Sequence, residues 1–337
     1  MENIMKYRSV VATRRGGPEV LQIVENDMRP PRAREVRIKV LAAGVGRTDI
    51  AYRYGTSPLS PKTPFVPGYT ILGTVDAVGE AVAGACVGDR VAALTGHGGY
   101  AEIIYLGAEH LVNVPTSLDP AEAVTLILSY VTAYQMLHRT AKVKTGDKAL
   151  AIGASGGVGT ALLELGRLAG LTLFGTASRS KHEVLTELGA VPIDYRIQDF
   201  VQVIRRAEPG GLDFVFDGMG GEYSSRALAV LQRGGKLVEY APPAGLSGLL
   251  LGLAKLVWLN LLPNGKSAAF YGISELYARD KRPFMDDLPK LFKLLEEHRI
   301  RPIIAARFPL LEAAKANALL ESGQVAGNVV LLSPELL

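Results

Sequence analysis

The chain is poor in cysteine: among its 337 residues the only thiol belongs to Cys86. A single cysteine excludes an internal disulfide and any zinc site that needs several thiolates. No block of lysine and arginine is interleaved with aromatic residues, and the net charge is only +4. The composition therefore predicts no nucleic-acid partner. Residues 1–6 lack the apolar core of a secretory signal peptide, so we expect a cytoplasmic protein.

What the chain does contain is enough sequence for two globular domains. A length of 337 residues exceeds the usual size of one hydrophobic core, and 48% hydrophobic with 21% charged residues is typical of a soluble globular protein. In the first part of the chain, apolar residues alternate with period two, which predicts a twisted antiparallel sheet or partial barrel. The clearest of these strands are 35–40, 70–79 and 100–104.

From about Pro120 the pattern becomes helical, and helical segments then alternate with apolar strands. This alternation predicts a doubly wound parallel sheet. Its later strands are expected at 213–217, 236–240 and 268–272. The tail returns to a strand at 328–332, which we expect to rejoin the N-terminal domain.

The most informative segment is an apolar strand at 148–152 that leads through a turn of small residues into a helix at 161–168. Small residues let backbone amides approach a pyrophosphate, and the helix directs its positive dipole at the same charge. A second apolar run, 171–177, ends about 20 residues past the turn, where the fingerprint places its ribose-binding residue. We therefore predict a βαβ unit that binds a dinucleotide through Ala154, Ser155, Gly156, Gly157, Val158 and Gly159.

The residue after the second strand selects the dinucleotide. An Asp or Glu there would bind the free ribose hydroxyls of NAD. Here the position holds Ser178, followed by Arg179 and Lys181. A hydroxyl beside two cations suits a 2′-phosphate, through charge-assisted hydrogen bonds, so NADPH is the predicted cofactor. The alternative interpretation of the two cations is a solvated charged turn.

Several ordered motifs make the chain resemble the medium-chain dehydrogenase/reductase superfamily over nearly its whole length. The motifs are Gly44–Ile50, Pro64–Gly68, Val87–Val91, Gly98–Glu102, Thr132–Tyr134, Ala154–Gly159 and Asp217–Gly221. The resemblance implies an α/β fold in which a Rossmann doubly wound parallel sheet accompanies a GroES-like, β-rich partial barrel. We expect residues 1–123 and 273–337 in the GroES-like substrate domain and 124–272 in the NADPH-binding domain. It also implies a homodimer through the strand at 268–272.

The zinc-dependent members carry Cys, His and Glu where this chain has Gly46, Tyr69 and Thr70, so a metal-free enzyme is implied. Without a Lewis acid, hydride transfer is limited to acceptors that are already electron-poor. The chain looks most like the NADPH:quinone oxidoreductase and vesicle-membrane branch, which implies reduction of a quinone or of an activated C=C bond in an α,β-unsaturated carbonyl. An enoyl-thioester reductase is the alternative within this chemistry. A nucleotide-binding, membrane-associated interaction protein with little catalysis is the alternative of another class.

The resemblance also implies roles for single residues on the cofactor side. Tyr195 would lie near the adenosine 2′-phosphate together with Lys181, and Thr132 would lie beside the nicotinamide ribose. Asp217, in the motif after a predicted strand, is a further candidate for cofactor binding.

On the acceptor side the chain departs from its relatives. Quinone reductases usually carry Asn at the position of Gly46 and a tyrosine near Ala51, whereas Tyr52 and Arg53 stand beside that place here. The candidate catalytic residues are Tyr52, Tyr69 and Arg53. Tyr52, Tyr69 or a water molecule would deliver the proton that an enolate or quinol oxygen needs. For each tyrosine, a packed aromatic without a chemical role is the alternative.

One apolar run, 245–262, is close to the roughly 20 residues that span a bilayer. Lys255 and Asn260 fall inside it, and a lysine at mid-span costs about 2.5–3.5 kcal/mol, so we do not expect a spanning helix. We expect a helix over the active-site cleft or at a subunit contact. Peripheral membrane contact is the alternative.

Overall fold

The computed structural model describes residues 5–241 and 245–337, so most of the 1–6 segment, on which the signal-peptide prediction rests, lies outside the described residues. The chain divides into two compact units. The first unit comprises Met1–Leu128 and Phe284–Leu337, and the second comprises Ser129–Pro283. The domain boundaries predicted from the sequence fall after residues 123 and 272.

Most strand pairs of the first unit are antiparallel. In β3 the side chains alternate in burial, which places Val36, Ile38 and Val40 in the core. The predicted strand at 100–104 starts only at Ile103, because Ala101 instead bridges to Ser9. The elements in chain order are β1 (Lys6–Ala12), β2 (Leu21–Asp27), β3 (Glu35–Val45), α1 (Arg47–Tyr54), β4 (Thr70–Val78), β5 (Arg90–Leu94), β6 (Ile103–Gly107), β7 (Val112–Asn113) and α2 (Pro120–Thr125).

A helical stretch follows, in which π-helical turns at Leu126–Tyr130 and Met136–Ala141 flank α3 (Val131–Gln135). The second unit then alternates strand and helix, as predicted. Its elements are β8 (Lys148–Ile152), α4 (Gly157–Leu168), β9 (Thr172–Ala177), α5 (His182–Glu187), β10 (Ala190–Asp194), α6 (Phe200–Ala207), β11 (Leu212–Asp217), α7 (Glu222–Ala227), β12 (Leu231–Glu239), α8 (Gly245–Leu261), β13 (Ser267–Phe270) and α9 (Ile273–Arg279).

The six strands of the second unit form one parallel sheet in the order β10-β9-β8-β11-β12-β13. The chain moves outward from β8 in one direction and then from β11 in the other, so the order reverses between these two strands. Ligands of such sheets bind at the carboxyl ends of the strands beside this reversal. The predicted Rossmann-type sheet is confirmed.

The chain then returns to the first unit through α10 (Arg282–Glu296), β14 (Ile304–Pro309), α11 (Ala313–Glu321) and β15 (Asn328–Leu332). β15 pairs antiparallel with β3, as predicted for the strand at 328–332. The resulting seven-stranded sheet runs β14-β15-β3-β4-β5-β7, with β6 also paired to β3. The separate GroES-like, β-rich unit is therefore confirmed.

The apolar run forms α8, which ends at Leu261. None of the helices in the described ranges is long and apolar enough to cross a membrane. Leu259 of α8 is buried in the core of the second unit, together with Leu212, Leu231 and Leu237.

Candidate active site

The turn between β8 and α4 has the shape that a phosphate cradle needs. Gly153 has φ +80°, a conformation that favours glycine. A Cβ atom at Gly159 would lie 2.5 Å from the carbonyl oxygen of Ala154, whereas one at Gly156 would meet only the Gly153 oxygen, at 3.8 Å. The turn is therefore tightly packed beside Gly159 and open beside Gly156, which leaves room for a pyrophosphate.

The same turn is fixed to the neighbouring strand. The amide of Ala154 donates to the carbonyl of Thr176 at 3.1 Å, and the amide of Gly153 donates to the Thr176 hydroxyl at 3.0 Å. Ser155 lies in the turn, and Gly157 and Val158 open α4. The residue before α4 is Gly156, so no side chain caps the helix, and its first amides point toward any anion in the turn.

The carboxyl ends of β9 and β10 bring two predicted cofactor residues together. Ala177 pairs with Asp194 in this parallel ladder, so Ser178 and Tyr195 leave the sheet side by side. Ser178 is buried, whereas the Tyr195 ring is exposed. This neighbourhood follows from the strand register and is not visible in the spacing of the two residues.

Cations surround this corner of the sheet. Arg179 is exposed, and its Nη1 lies 3.5 Å from Nδ1 of His182. Lys181 follows in the same turn. The guanidinium of Arg196 lies 6.0 Å from the centre of the Tyr195 ring. Arg196 is a cation that the sequence analysis missed; its position directly after Tyr195 is the signal that would have found it.

Thr132 shows the strongest local sign of a missing partner. It is 5% exposed, and its Oγ1 has no hydrogen-bond partner within residues 5–241 and 245–337. A buried hydroxyl without a partner costs about 1–3 kcal/mol, which a bound ligand would recover. The orphaned hydroxyl and the open turn at Gly156 are both compatible with a dinucleotide.

Asp217, at the end of β11, is fully buried and shapes the next turn. Its Oδ1 accepts the amides of Met219 (2.8 Å) and Gly220 (3.0 Å), and its Oδ2 accepts the Ser224 hydroxyl at 2.8 Å. Asp217 therefore organises the turn that follows β11 at the same sheet edge, and a direct contact with the cofactor stays a prediction.

In the first unit, the buried carboxylate of Asp49 holds two segments together. It lies in the first turn of α1, where Oδ2 accepts the amide of Gly46 and Oδ1 accepts that of Gly68, both at 2.9 Å. Burial raises the pKa of Asp49 to about 6, while these amide hydrogen bonds act in the opposite direction. Asp49 was not among the residues predicted for the site, although a carboxylate three residues after Gly46 is a helix-capping signal.

This arrangement places two candidate tyrosines near each other. Tyr69 follows the Gly68 amide that Asp49 holds, and Tyr52 lies on α1. Their ring centres are 6.1 Å apart, in an edge-to-face geometry, and both side chains are buried. Such a pair is stabilising in itself. A role as proton donor stays a prediction for both residues.

Arg53 occupies the interior of the first unit. Its guanidinium forms an ion pair with Glu321 of α11, and Nη1 donates to the carbonyl of Gly16 at 2.5 Å. Tyr54 lies against it, with the guanidinium 4.8 Å from the ring centre. These contacts join three distant segments, and the predicted catalytic role of Arg53 remains untested.

The positions that hold zinc ligands in metal-dependent relatives lie at the start of α1 and of β4. Gly46 precedes α1, Tyr69 directly precedes β4, and Thr70 is the first residue of β4. Across the described part of the chain, no three His, Cys, Asp or Glu side chains come together as a metal-binding group.

Comparison with known proteins agrees with this geometry. The alcohol dehydrogenase GroES-like domain model matches residues 32–116, and the zinc-binding dehydrogenase model matches residues 188–331. The quinone oxidoreductase of Lama guanicoe is 32% identical, covering 96% of this chain and 97% of the relative. The synaptic vesicle membrane protein VAT-1 homolog of Danio rerio is 30% identical over 98% of this chain and 71% of its own length.

Solved structures show the same likeness along the whole chain. The Escherichia coli quinone oxidoreductase complexed with NADPH has a TM-score of 0.86 at 26% identity, over 96% of this chain and 99% of that one. The CurK enoyl reductase has a TM-score of 0.84 at 28% identity, over 98% of this chain and 99% of that one. The chain therefore belongs to the medium-chain dehydrogenase/reductase family, in its quinone oxidoreductase-like branch.

Proposed function

We propose that this protein is an NADPH-dependent, metal-independent reductase that transfers hydride to a quinone or to the activated C=C bond of an α,β-unsaturated carbonyl. The observation that carries the proposal is the corner where Ser178 and Tyr195 emerge together among Arg179, Lys181 and Arg196. A hydroxyl and several cations, with no carboxylate at the ribose position, suit a 2′-phosphate. The Escherichia coli relative named above binds NADPH.

The remaining cofactor contacts follow from the second unit. The amides of the 153–159 turn and the N-terminus of α4 would bind the pyrophosphate. The Thr132 hydroxyl, which lacks a partner among the residues described, would bind the nicotinamide ribose. The dihydronicotinamide ring supplies hydride chemistry when bound. On the acceptor side, glycine at position 46 offers no metal ligand, which favours acceptors that need no Lewis acid.

A cofactor-selectivity experiment tests the first part of the proposal. Ser178→Asp places a negative charge where the 2′-phosphate would bind. We expect kcat/KM for NADPH to fall at least tenfold, with little change for NADH, because one unfavourable charge contact is worth about 1.4 kcal/mol or more. Ser225→Asp, on the exposed side of α7, adds the same charge elsewhere and is the control. Equal use of NADPH and NADH by the unmodified protein would overturn the proposed cofactor.

The acceptor is tested by following NADPH oxidation. We expect turnover with 1,4-benzoquinone, 9,10-phenanthrenequinone or 2-alkenals. The similarity to the CurK enoyl reductase favours a second candidate, an enoyl-thioester reductase, for which crotonyl-CoA is the probe. Failure with all of these compounds would overturn the reductase proposal. Tight NADPH binding without turnover would instead favour a nucleotide-binding interaction protein.

The proton donor is tested in the first unit. Tyr52→Phe and Tyr69→Phe keep the edge-to-face ring pair but remove each hydroxyl. If a tyrosine delivers the proton to the enolate or quinol oxygen, one of the variants should lose about 10²-fold or more in kcat. Unchanged turnover in the double variant would assign the proton to water.

We also propose a homodimer through the edge of the second unit's sheet. Of the strands that the structure describes, only β12 pairs with β13. The Asn260 side chain bonds the backbone of Ala268 in this strand, so a second copy would pair with β13 beside that position or displace Asn260. An open edge strand is otherwise an aggregation hazard. Light scattering should give the mass of a dimer, and a monomer at all concentrations would contradict this proposal. A cytoplasmic location stays a prediction.

A further inference from the structure

The segment that carries Thr132 is a short helix between two π-helical turns. α3 has only five residues, and a turn of this kind lies on either side of it. Such turns depart from α-helical hydrogen bonding and are frequent at functional sites. A helical threonine ordinarily donates to the carbonyl three or four residues earlier, as Thr125 does to Glu122 at 2.7 Å. For Thr132 those carbonyls belong to the π-helical turn Leu126–Tyr130, and its hydroxyl has no hydrogen-bond partner within residues 5–241 and 245–337.

Two hydrogen bonds between side chains fix this segment at both ends. Tyr130, the residue before α3, donates its hydroxyl to Oε2 of Glu164 at 2.6 Å. Gln135, the last residue of α3, accepts the hydroxyl of Tyr271 on Oε1 at 2.8 Å. All four side chains are buried, with no more than 5% exposed. Breaking either bond would leave a buried polar group without that partner, which is costly, so both bonds restrain the segment.

The bond between Tyr130 and Glu164 joins this segment to the dinucleotide turn. Glu164 lies on α4, the helix that begins at Gly157 directly after Gly156 of the turn. Tyr130 precedes Thr132 by two residues, so its hydrogen bond restrains the backbone close to the Thr132 hydroxyl. A hydroxyl that donates to a carboxylate forms one of the stronger hydrogen bonds in proteins. A continuous structural connection therefore runs from the amides at the start of α4, through Glu164 and Tyr130, to Thr132.

We propose that Tyr130 and Glu164 are positioning residues, which hold the Thr132 hydroxyl at a fixed place relative to the dinucleotide turn. This role rests on the proposed function, in which the turn binds the pyrophosphate of NADPH and Thr132 binds the nicotinamide ribose. One cofactor molecule of fixed covalent length must reach both places. A hydroxyl that is already held in place loses less freedom when the cofactor binds, so the affinity is higher. Neither positioning residue has to touch the cofactor.

Two ligands distinguish positioning from a general loss of structure. NADPH would reach both places, whereas adenosine 2′,5′-bisphosphate carries the 2′-phosphate but has no nicotinamide half. In calorimetric titrations, Tyr130→Phe should raise the Kd of NADPH about three- to tenfold, the range for one hydrogen bond, and leave the Kd of the bisphosphate unchanged. Equal weakening of both ligands would mean that the pair only maintains the fold, and would overturn the proposal.

A matched control removes a tyrosine hydroxyl that is bonded in the first unit. The Tyr105 hydroxyl donates to the carbonyl of Arg29 at 2.7 Å. Tyr105→Phe should therefore bind both ligands as the parent protein does. If this variant weakens NADPH binding as much as Tyr130→Phe, the effect is not specific to the segment that carries Thr132, and the proposal fails.

The acceptor of the hydrogen bond is tested by two variants of Glu164. Glu164→Gln keeps a side-chain oxygen that accepts the Tyr130 hydroxyl, so its Kd for NADPH should stay close to that of the parent. Glu164→Leu removes the acceptor and should behave like Tyr130→Phe. An equal loss of affinity in both variants would show that this hydrogen bond is not the cause.

A double-mutant cycle tests whether the pair acts through Thr132. Tyr130→Phe should cost no further affinity for NADPH once Thr132→Val is present, because a hydroxyl that is absent cannot be misplaced. Effects that add would overturn the positioning role. A parent protein that binds neither NADPH nor the bisphosphate would overturn the proposed function and this role with it. A parent that binds both ligands, with a Tyr130→Phe variant that binds NADPH equally well, would overturn the positioning role alone.

Discussion

The two units use their buried polar groups in different ways. In the first unit, Asp49 accepts two backbone amides and Arg53 is paired with Glu321, so these charges hold distant segments together. In the second unit, the Thr132 hydroxyl has no partner within the described ranges, and α4 begins without a side-chain cap. Removing Asp49 or Arg53 should therefore destabilise the first unit, whereas removing the Thr132 hydroxyl should change ligand binding and leave stability intact.

The largest effect is expected at Arg53. Arg53→Met keeps an aliphatic side chain but leaves the partly buried carboxylate of Glu321 without its cation. Breaking a buried ion pair costs about 3–5 kcal/mol, so the free energy of unfolding in urea should fall by that amount. Lys39→Met breaks an exposed pair with Glu335 and should cost less than about 1 kcal/mol.

The same variant tests the predicted catalytic role of Arg53. Turnover per folded molecule should stay near that of the parent if Arg53 only maintains the fold. Full stability together with lost turnover would show that Arg53 serves the acceptor, and the contrast between the units would fail.

The second effect is a pH dependence due to Asp49. Its pKa is raised by burial to about 6 in the folded state, above the roughly 4 of an unfolded aspartate. The folded protein therefore binds this proton more tightly, so the contribution of Asp49 to stability is greatest below pH 4 and falls by about 3 kcal/mol as the pH rises from 4 to 6. Asp49→Asn lacks this titration. In urea unfolding between pH 4 and 7, the parent should lose about 3 kcal/mol of unfolding free energy relative to the variant as the pH rises, and a constant difference would contradict the prediction.

Asp49 and Arg53 also show which contacts cannot be predicted from the sequence. The strand, turn and helix around 148–168 are contiguous, so composition and spacing predicted them together with the dinucleotide turn. Asp49 meets Gly68, and Arg53 meets Glu321, only because the chain returns from far away. The adjacency of Ser178 and Tyr195 depends on the register of two strands. Motifs within one segment are visible in the sequence, whereas pairs of residues created by tertiary folding are not.

The third prediction contrasts two glycines of the dinucleotide turn. Gly159→Ala puts a methyl group 2.5 Å from the Ala154 carbonyl oxygen, so the turn must move, at a cost of about 1–3 kcal/mol. Both the melting temperature and the affinity for NADPH should fall. Gly156→Ala meets only the Gly153 carbonyl oxygen, at an ordinary contact distance of 3.8 Å, and should leave the melting temperature unchanged, yet it should weaken NADPH binding tenfold or more. Equal effects of both substitutions on stability would contradict the conclusion that the turn is open beside Gly156.

The smallest effect is the sharpest test of the contrast between the units, because it compares two buried threonines. The Thr125 hydroxyl in the first unit donates to the Glu122 carbonyl at 2.7 Å, whereas the Thr132 hydroxyl in the second has no partner among the residues described. Thr125→Val should lower the free energy of unfolding by about 1 kcal/mol, through the lost hydrogen bond. Thr132→Val should leave it unchanged or slightly higher, because an unpaired polar group disappears, and should weaken NADPH binding about five- to tenfold in a fluorescence titration. A Thr132 variant that loses stability but binds NADPH normally would mean that this hydroxyl serves the fold, as its counterpart does.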